Sequence, residues 1–120
     1  MTANFEEVFE QLKSNLKEFQ PSLIVKFDEP GKYYLISAKV DEKKREMWFG
    51  GVEIKKNYVS FHLVPIYMKP ELLDGISPEL KKRLTGKGCF NFTKTDDKLF
   101  AELAKLTAAG FDLFRERELI

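Results

Sequence analysis

Met47-Trp48-Phe49-Gly50-Gly51-Val52-Glu53-Ile54-Lys55-Lys56-Asn57-Tyr58-Val59-Ser60-Phe61-His62-Leu63-Val64 is the stretch on which the fold turns. Apolar and polar residues alternate on both sides of Lys56-Asn57, and the two halves agree in one register. A two-residue loop there sets Ile54 opposite Val59, Val52 opposite Phe61 and Gly50 opposite Leu63. Those pairs line one face, which must be core. The other face then carries Glu53 with Ser60, Gly51 with His62, and Phe49 with Val64. Gly51 lacks a side chain, so the imidazole of His62 has room beside it.

Outward from this hairpin, the flanking segments complete a mixed fold. Phe5, Val8, Phe9, Leu12, Leu16 and Phe19 recur at helical spacing, which predicts an opening amphipathic helix. Asn4 and Glu7 are placed to form a capping box at its start, and Pro21 ends it. Glu6, Glu7 and Glu10 near the start, with Lys13 and Lys17 near the end, complement the helix dipole. Leu23, Val25 and Phe27 alternate as a first strand. Glu29-Pro30-Gly31-Lys32 has Pro and Gly at the central positions of a type II turn. A second strand follows, with Tyr34, Ile36, Ala38 and Val40 expected on the apolar face and Tyr33, Leu35, Ser37 and Lys39 on the other.

Beyond the hairpin, Pro65 closes the fourth strand. Ser77-Pro78 starts a helix expected to run through Leu80 and Leu84 to Gly86. Cys89-Phe90-Asn91-Phe92-Thr93 reads as a fifth strand. A last helix, with Thr95 as its cap, buries Leu99, Phe100, Leu103, Leu106, Phe111 and Phe114. The order predicts one α+β domain over residues 1–120: two layers, with a five-stranded antiparallel sheet carrying the N-terminal and C-terminal helices on one face. The second face is left for solvent, a ligand or another subunit.

Composition narrows the function classes. At 120 residues, with 43% hydrophobic and 32% charged, the chain suits one soluble globular core. Twenty basic residues against nineteen acidic ones leave a charge of +1, which argues against nucleic acid as a partner. No apolar run approaches membrane-spanning length. The N-terminus is acidic and amphipathic, unlike a signal peptide. Cys89 is the sole cysteine, so no intramolecular disulfide forms and a cytoplasmic location is expected.

Sites of chemistry are sparse. No Ser/His/Asp order, HExxH pattern, zinc-type spacing or dinucleotide fingerprint is present, and with one histidine a catalytic triad is hard to assemble. Cys89 as a nucleophile requires an adjacent base and a depressed pKa. Thr85-Gly86-Lys87-Gly88 follows a helix rather than opening one, so it reads as a C-cap, not a phosphate cradle. Glu6, Glu7 and Glu10, with Asp28 and Glu29 nearby, are candidate oxygen ligands for a hard cation or iron.

Lys55-Lys56-Asn57-Tyr58-Val59-Ser60-Phe61-His62 resembles a hairpin of the small bacterial YdhG-like domain family. Leu84-Thr85-Gly86-Lys87-Gly88-Cys89-Phe90-Asn91-Phe92 resembles its turn and following strand, and the likeness covers residues 47 to 114. The resemblance implies a two-layer fold like that of secretion chaperones. Some relatives are described as frataxin-like iron chaperones, which implies iron delivery through exposed carboxylates. The net charge departs from a strongly acidic iron carrier. The residues themselves point to a noncatalytic binding or chaperone-like module using the open sheet face, with Phe49, Glu53, Tyr58, Ser60, His62 and Val64 as its surface. Its occupant would be a second copy or a protein partner. The alternatives are iron binding, and a small-molecule domain or enzyme with a pocket between the sheet and residues 65–78.

Overall fold

A computed structural model describes residues 5–40, 43–86 and 88–119. The chain order is α1 (Phe5–Lys17), β1 (Ile24–Glu29), β2 (Lys32–Val40), β3 (Glu46–Ile54), β4 (Val59–Leu63), α2 (Pro65–Met68), α3 (Pro78–Lys81), β5 (Leu84–Thr85), β6 (Cys89–Phe92) and α4 (Asp97–Glu116). Short 3-10 segments at Gln20–Ser22 and Pro70–Gly75 join them. The fold is α+β. One antiparallel sheet runs in the order β1-β2-β3-β4-β6-β5, and α1 and α4 pack together over one of its faces. No helix among the described residues is long and apolar enough to cross a membrane.

The organising hairpin has the register its alternation demands. Ile54 pairs with Val59, Val52 with Phe61, Gly51 with His62 and Gly50 with Leu63. Lys55 N donates to Tyr58 O at 2.7 Å to close the loop. Val52, Val59, Phe61 and Leu63 are fully buried beneath the helices, where hydrophobic burial contributes about 1.5–3 kcal/mol for each such side chain. The β1–β2 turn also follows its residues. Gly31 sits at φ +77, which a type II turn requires after Pro30.

Elsewhere the parity differs from expectation. Tyr33, Leu35 and Ser37 of β2 face the core, not Tyr34, Ile36 and Ala38. Tyr33 to Ile36 is apolar on both parities, and Ser37 and Lys39 make the core-facing parity look polar, so alternation misplaces the face; the pairing of Tyr33 with Val52 sets it. Buried Ser37 is satisfied because its hydroxyl donates to the Leu119 carbonyl. That carbonyl is positioned by a helix-ending turn in which Glu118 takes φ 58 and Leu119 N donates to Phe114 O at 2.8 Å.

Two bulges set the open face. In β1 the register shifts between Val25 and Phe27, so Val25 pairs with Leu35 toward the core while Phe27 pairs with Tyr34 on the reverse side. In β3, Gly50 pairs with Leu35 and Trp48 with Ile36, leaving Phe49 as the extra residue. A bulge places two successive residues against one partner and re-aims a side chain. Phe49 therefore turns inward and is fully buried.

Three boundaries also move. Asp96, not Thr95, caps α4: Leu99 N donates to Asp96 Oδ1 at 3.0 Å. Ser77 does cap α3, accepting from Leu80 N at 3.2 Å. That helix stops at Lys81, however, and Leu84–Thr85 pairs with β6 as a sixth strand. The Asn4 cap and Lys87 lie outside the described residues.

Candidate functional site on the open sheet face

Among the described residues no helix covers the sheet face opposite α1 and α4 near β1–β3, and the residues of that face divide into an aromatic half and a polar half. The aromatic half lies on β1, β2 and β3. Phe27, Tyr34 and Trp48 form one ring cluster: Tyr34 and Trp48 meet edge to face at 5.4 Å, Phe27 and Tyr34 at 6.2 Å, and Phe27 and Trp48 at 6.3 Å. Ile36, paired with both Ile24 and Trp48, extends the cluster to Ile24, which is 46% exposed. The ring of Tyr34 lies directly over Gly51, in the space that a side chain at that position would occupy. The gap expected beside His62 is thus filled by a tyrosine.

The Tyr34 hydroxyl donates to Glu53 at 2.9 Å, and Lys55 approaches the same carboxylate at 3.2 Å. Burial pushes the Glu53 carboxyl up, but the Tyr34 hydroxyl and Lys55 outweigh it and hold the group below its ordinary range. Tyr34 is raised, first by burial and then by this hydrogen bond. Both groups keep their ordinary protonation at neutral pH, so the pair is a fixed structural link.

The polar half lies on β4 and β6. His62 is on the open face, as its parity requires, directly opposite Cys89. Its ring meets Tyr67 edge to face at 5.5 Å. Tyr67 and Ser60 hydrogen-bond the thiol, yet burial raises the Cys89 pKa. Burial lowers that of His62. These directions keep thiol and imidazole both neutral, the reverse of the thiolate–imidazolium pair that nucleophilic catalysis requires. Among the described residues, His62 Nε2 and Asn91 Oδ1 are buried without a hydrogen-bond partner, which costs about 1–3 kcal/mol for each group.

The depressed His62 pKa makes a prediction. The unfolded chain takes up a proton near pH ~6.5, while the folded chain resists it. Stability is therefore full above that pH and falls as pH drops toward the lower folded value. His62→Gln should remove this loss below pH ~6.5, measured as the pH dependence of urea midpoints. His62 is the single histidine, so a slope surviving in the variant would contradict its assignment.

Of the residues expected to form the surface, Glu53, Ser60 and His62 share the open face. Tyr58 is half-buried at the hairpin loop. Val64 leaves the strand in helical conformation, with φ −65 and ψ −36, as the cap of α2. Phe49 belongs to the core, because the β3 bulge turns it inward. Phe27, Tyr34, Ile36 and Trp48 were missed. The signal for them was the aromatic pair Trp48-Phe49 running into Gly50-Gly51, since glycine inside a strand marks a bulge or a close approach.

At the β1–β2 turn end of the sheet, beside α1, a cleft of about 850 Å³ brings Glu6 and Glu10 of α1 together with Asp28, Glu29 and Glu53, against Lys13 and Lys32. Lys13 bridges to Asp28 at 2.9 Å and lies 4.9 Å from the Tyr33 ring centre. Glu7 does not line this cleft. Among the described residues, no group of three His, Cys, Asp or Glu side chains is arranged to hold a metal ion. A smaller pocket of about 300 Å³ lies among Ile66, Tyr67, Pro70, Leu73 and Gly86. Apart from Gly86 it falls within the 65–78 region, and the described residues that line it carry no charge.

No family model, curated protein or solved structure matches this chain.

Proposed function

We propose that this protein is a noncatalytic binding module that engages a protein partner through its open sheet face. One observation carries the reading: Phe27, Tyr34 and Trp48 form a ring cluster on a face that α1 and α4 do not cover. Aromatic rings bury large area at little cost in rotamer entropy, which is why they concentrate at the centres of interfaces. The neutral His62–Cys89 pair supports binding over chemistry, since neither group is poised to react.

The test is an amide chemical-shift map of labelled protein, recorded in buffer and then in unlabelled cell extract. Perturbations should gather on Phe27, Tyr34, Ile36 and Trp48. Perturbations confined to α1 and the carboxylate cleft would contradict the reading and move the site to that end of the sheet.

A further inference from the structure

We propose that the pocket beside α2 binds a small uncharged ring compound, whose hydrogen-bonding group is received by His62 and Asn91 next to Tyr67. This site is separate from the aromatic cluster on β1–β3, and neither depends on the other. Size and lining set the ligand class. The pocket encloses about 300 Å³ among Ile66, Tyr67, Pro70, Leu73 and Gly86, at the lower end of the volumes that small-molecule sites span. One ring with a short substituent suits it, and a nucleotide is too large. The space in front of Gly86 is open, since a Cβ there would meet nothing within 4 Å. The described lining is uncharged, so an ion would lose its hydration there without gaining a counter-charge. A neutral ring loses little and gains burial against Ile66, Pro70 and Leu73.

Tyr67 joins this apolar space to a polar end. Its ring is 46% exposed, yet its position is fixed from three sides. One edge lies against the backbone of Gly88, where a Cβ would come within 2.8 Å of Tyr67 Cε2. The hydroxyl is hydrogen-bonded to the Cys89 thiol. The ring meets that of His62 edge to face at 5.5 Å. A wall fixed before the ligand arrives costs little ordering on binding. Beside it, His62 and Asn91 are diagonal neighbours across β4 and β6 on one face of the sheet. Among the described residues, His62 Nε2 and Asn91 Oδ1 are buried with no hydrogen-bond partner. Buried polar atoms that the chain leaves unpaired call for a partner from outside it. A carboxamide serves both atoms. Its N–H donates to Asn91 Oδ1, and because it carries donor and acceptor it suits either tautomer of His62.

Benzamide, benzoate and benzamidine share one shape and differ in charge, which makes them the probes. Each is titrated into isotopically labelled protein and followed by amide chemical shifts. Benzamide should bind saturably, with its largest shifts at Ile66, Tyr67, Leu73, Gly86 and His62, and about tenfold or more tightly than either ion. Leu73→Trp, which fills the pocket with the chain's own side chain, should abolish that binding while keeping the wild-type circular dichroism. His62→Phe should weaken benzamide about fivefold and leave toluene unchanged. The proposal is overturned if benzamide gives no saturable shift up to its solubility limit, or if its shifts lie elsewhere. Equal binding of the three probes, or wild-type binding by Leu73→Trp, overturns it too. An unchanged benzamide affinity in His62→Phe overturns the polar end, because the unpaired atoms then hold water alone.

Discussion

Phe49→Ala should lower the unfolding free energy by about 3–5 kcal/mol, whereas Trp48→Ala, one residue earlier, should cost less than half as much. Phe49 is fully buried, and its ring meets Phe114 at 5.2 Å, Phe111 at 6.1 Å and Phe19 at 6.2 Å. Truncation would remove aromatic contacts to α4 and to the segment after α1, leaving a cavity that close-packed neighbours fill only in part. Trp48 makes its ring contacts on the uncovered face, with Tyr34 and Phe27. Urea unfolding of both variants checks this. Equal losses, or a larger loss at Trp48, would mean that the β3 bulge does not turn Phe49 inward.

The second large effect is expected at Gly51. A Cβ there would fall 2.0 Å from Cδ1 of Tyr34 and 2.5 Å from its Cγ, too near the base of the side chain for a small adjustment. Gly51→Ala must expel the ring. That breaks the 2.9 Å hydrogen bond to Glu53 and the 5.4 Å edge contact with Trp48, at a cost of about 1–3 kcal/mol. Alanine is ordinarily better than glycine inside a strand, so the sign is informative. In a Tyr34→Ala background the cost should vanish or reverse, giving a clear coupling in the double-mutant cycle. Additive losses would show that the ring does not lie over Gly51.

Much of this architecture was legible because local rules agreed. At Lys56-Asn57, loop length and alternation on both sides gave one register, and His62 fell on the open face as a result. Pro30-Gly31 specified its turn, and Ser77-Pro78 its helix start, by the same kind of agreement. The open face was harder to read. Tyr33 through Ile36 is apolar on both parities, and Ser37 and Lys39 favour the wrong one, so the strand's orientation depends on partners distant in sequence. Phe27 and Phe49 are displaced by bulges, and a single extra residue reverses every parity beyond it. The surface was accordingly placed along β3 and β4, when its aromatic part lies on β1, β2 and β3. Leu84-Thr85 is too short to show a period, so it read as a continuation of α3. Thr95 and Asp96 are adjacent cap formers, and only the backbone decides between them. Glu6, Glu10, Asp28 and Glu29 were recognised as neighbours, and they do line one cleft.

The division of Trp48 and Phe49 between opposite faces underlies the uncovered aromatic cluster and the binding role proposed for it. Proton-proton Overhauser contacts from these two rings test it most directly. Contacts from the Trp48 indole should run to the rings of Phe27 and Tyr34, and those from Phe49 to the rings of Phe111 and Phe114. Contacts from the indole to the side chains of α4 would contradict the account.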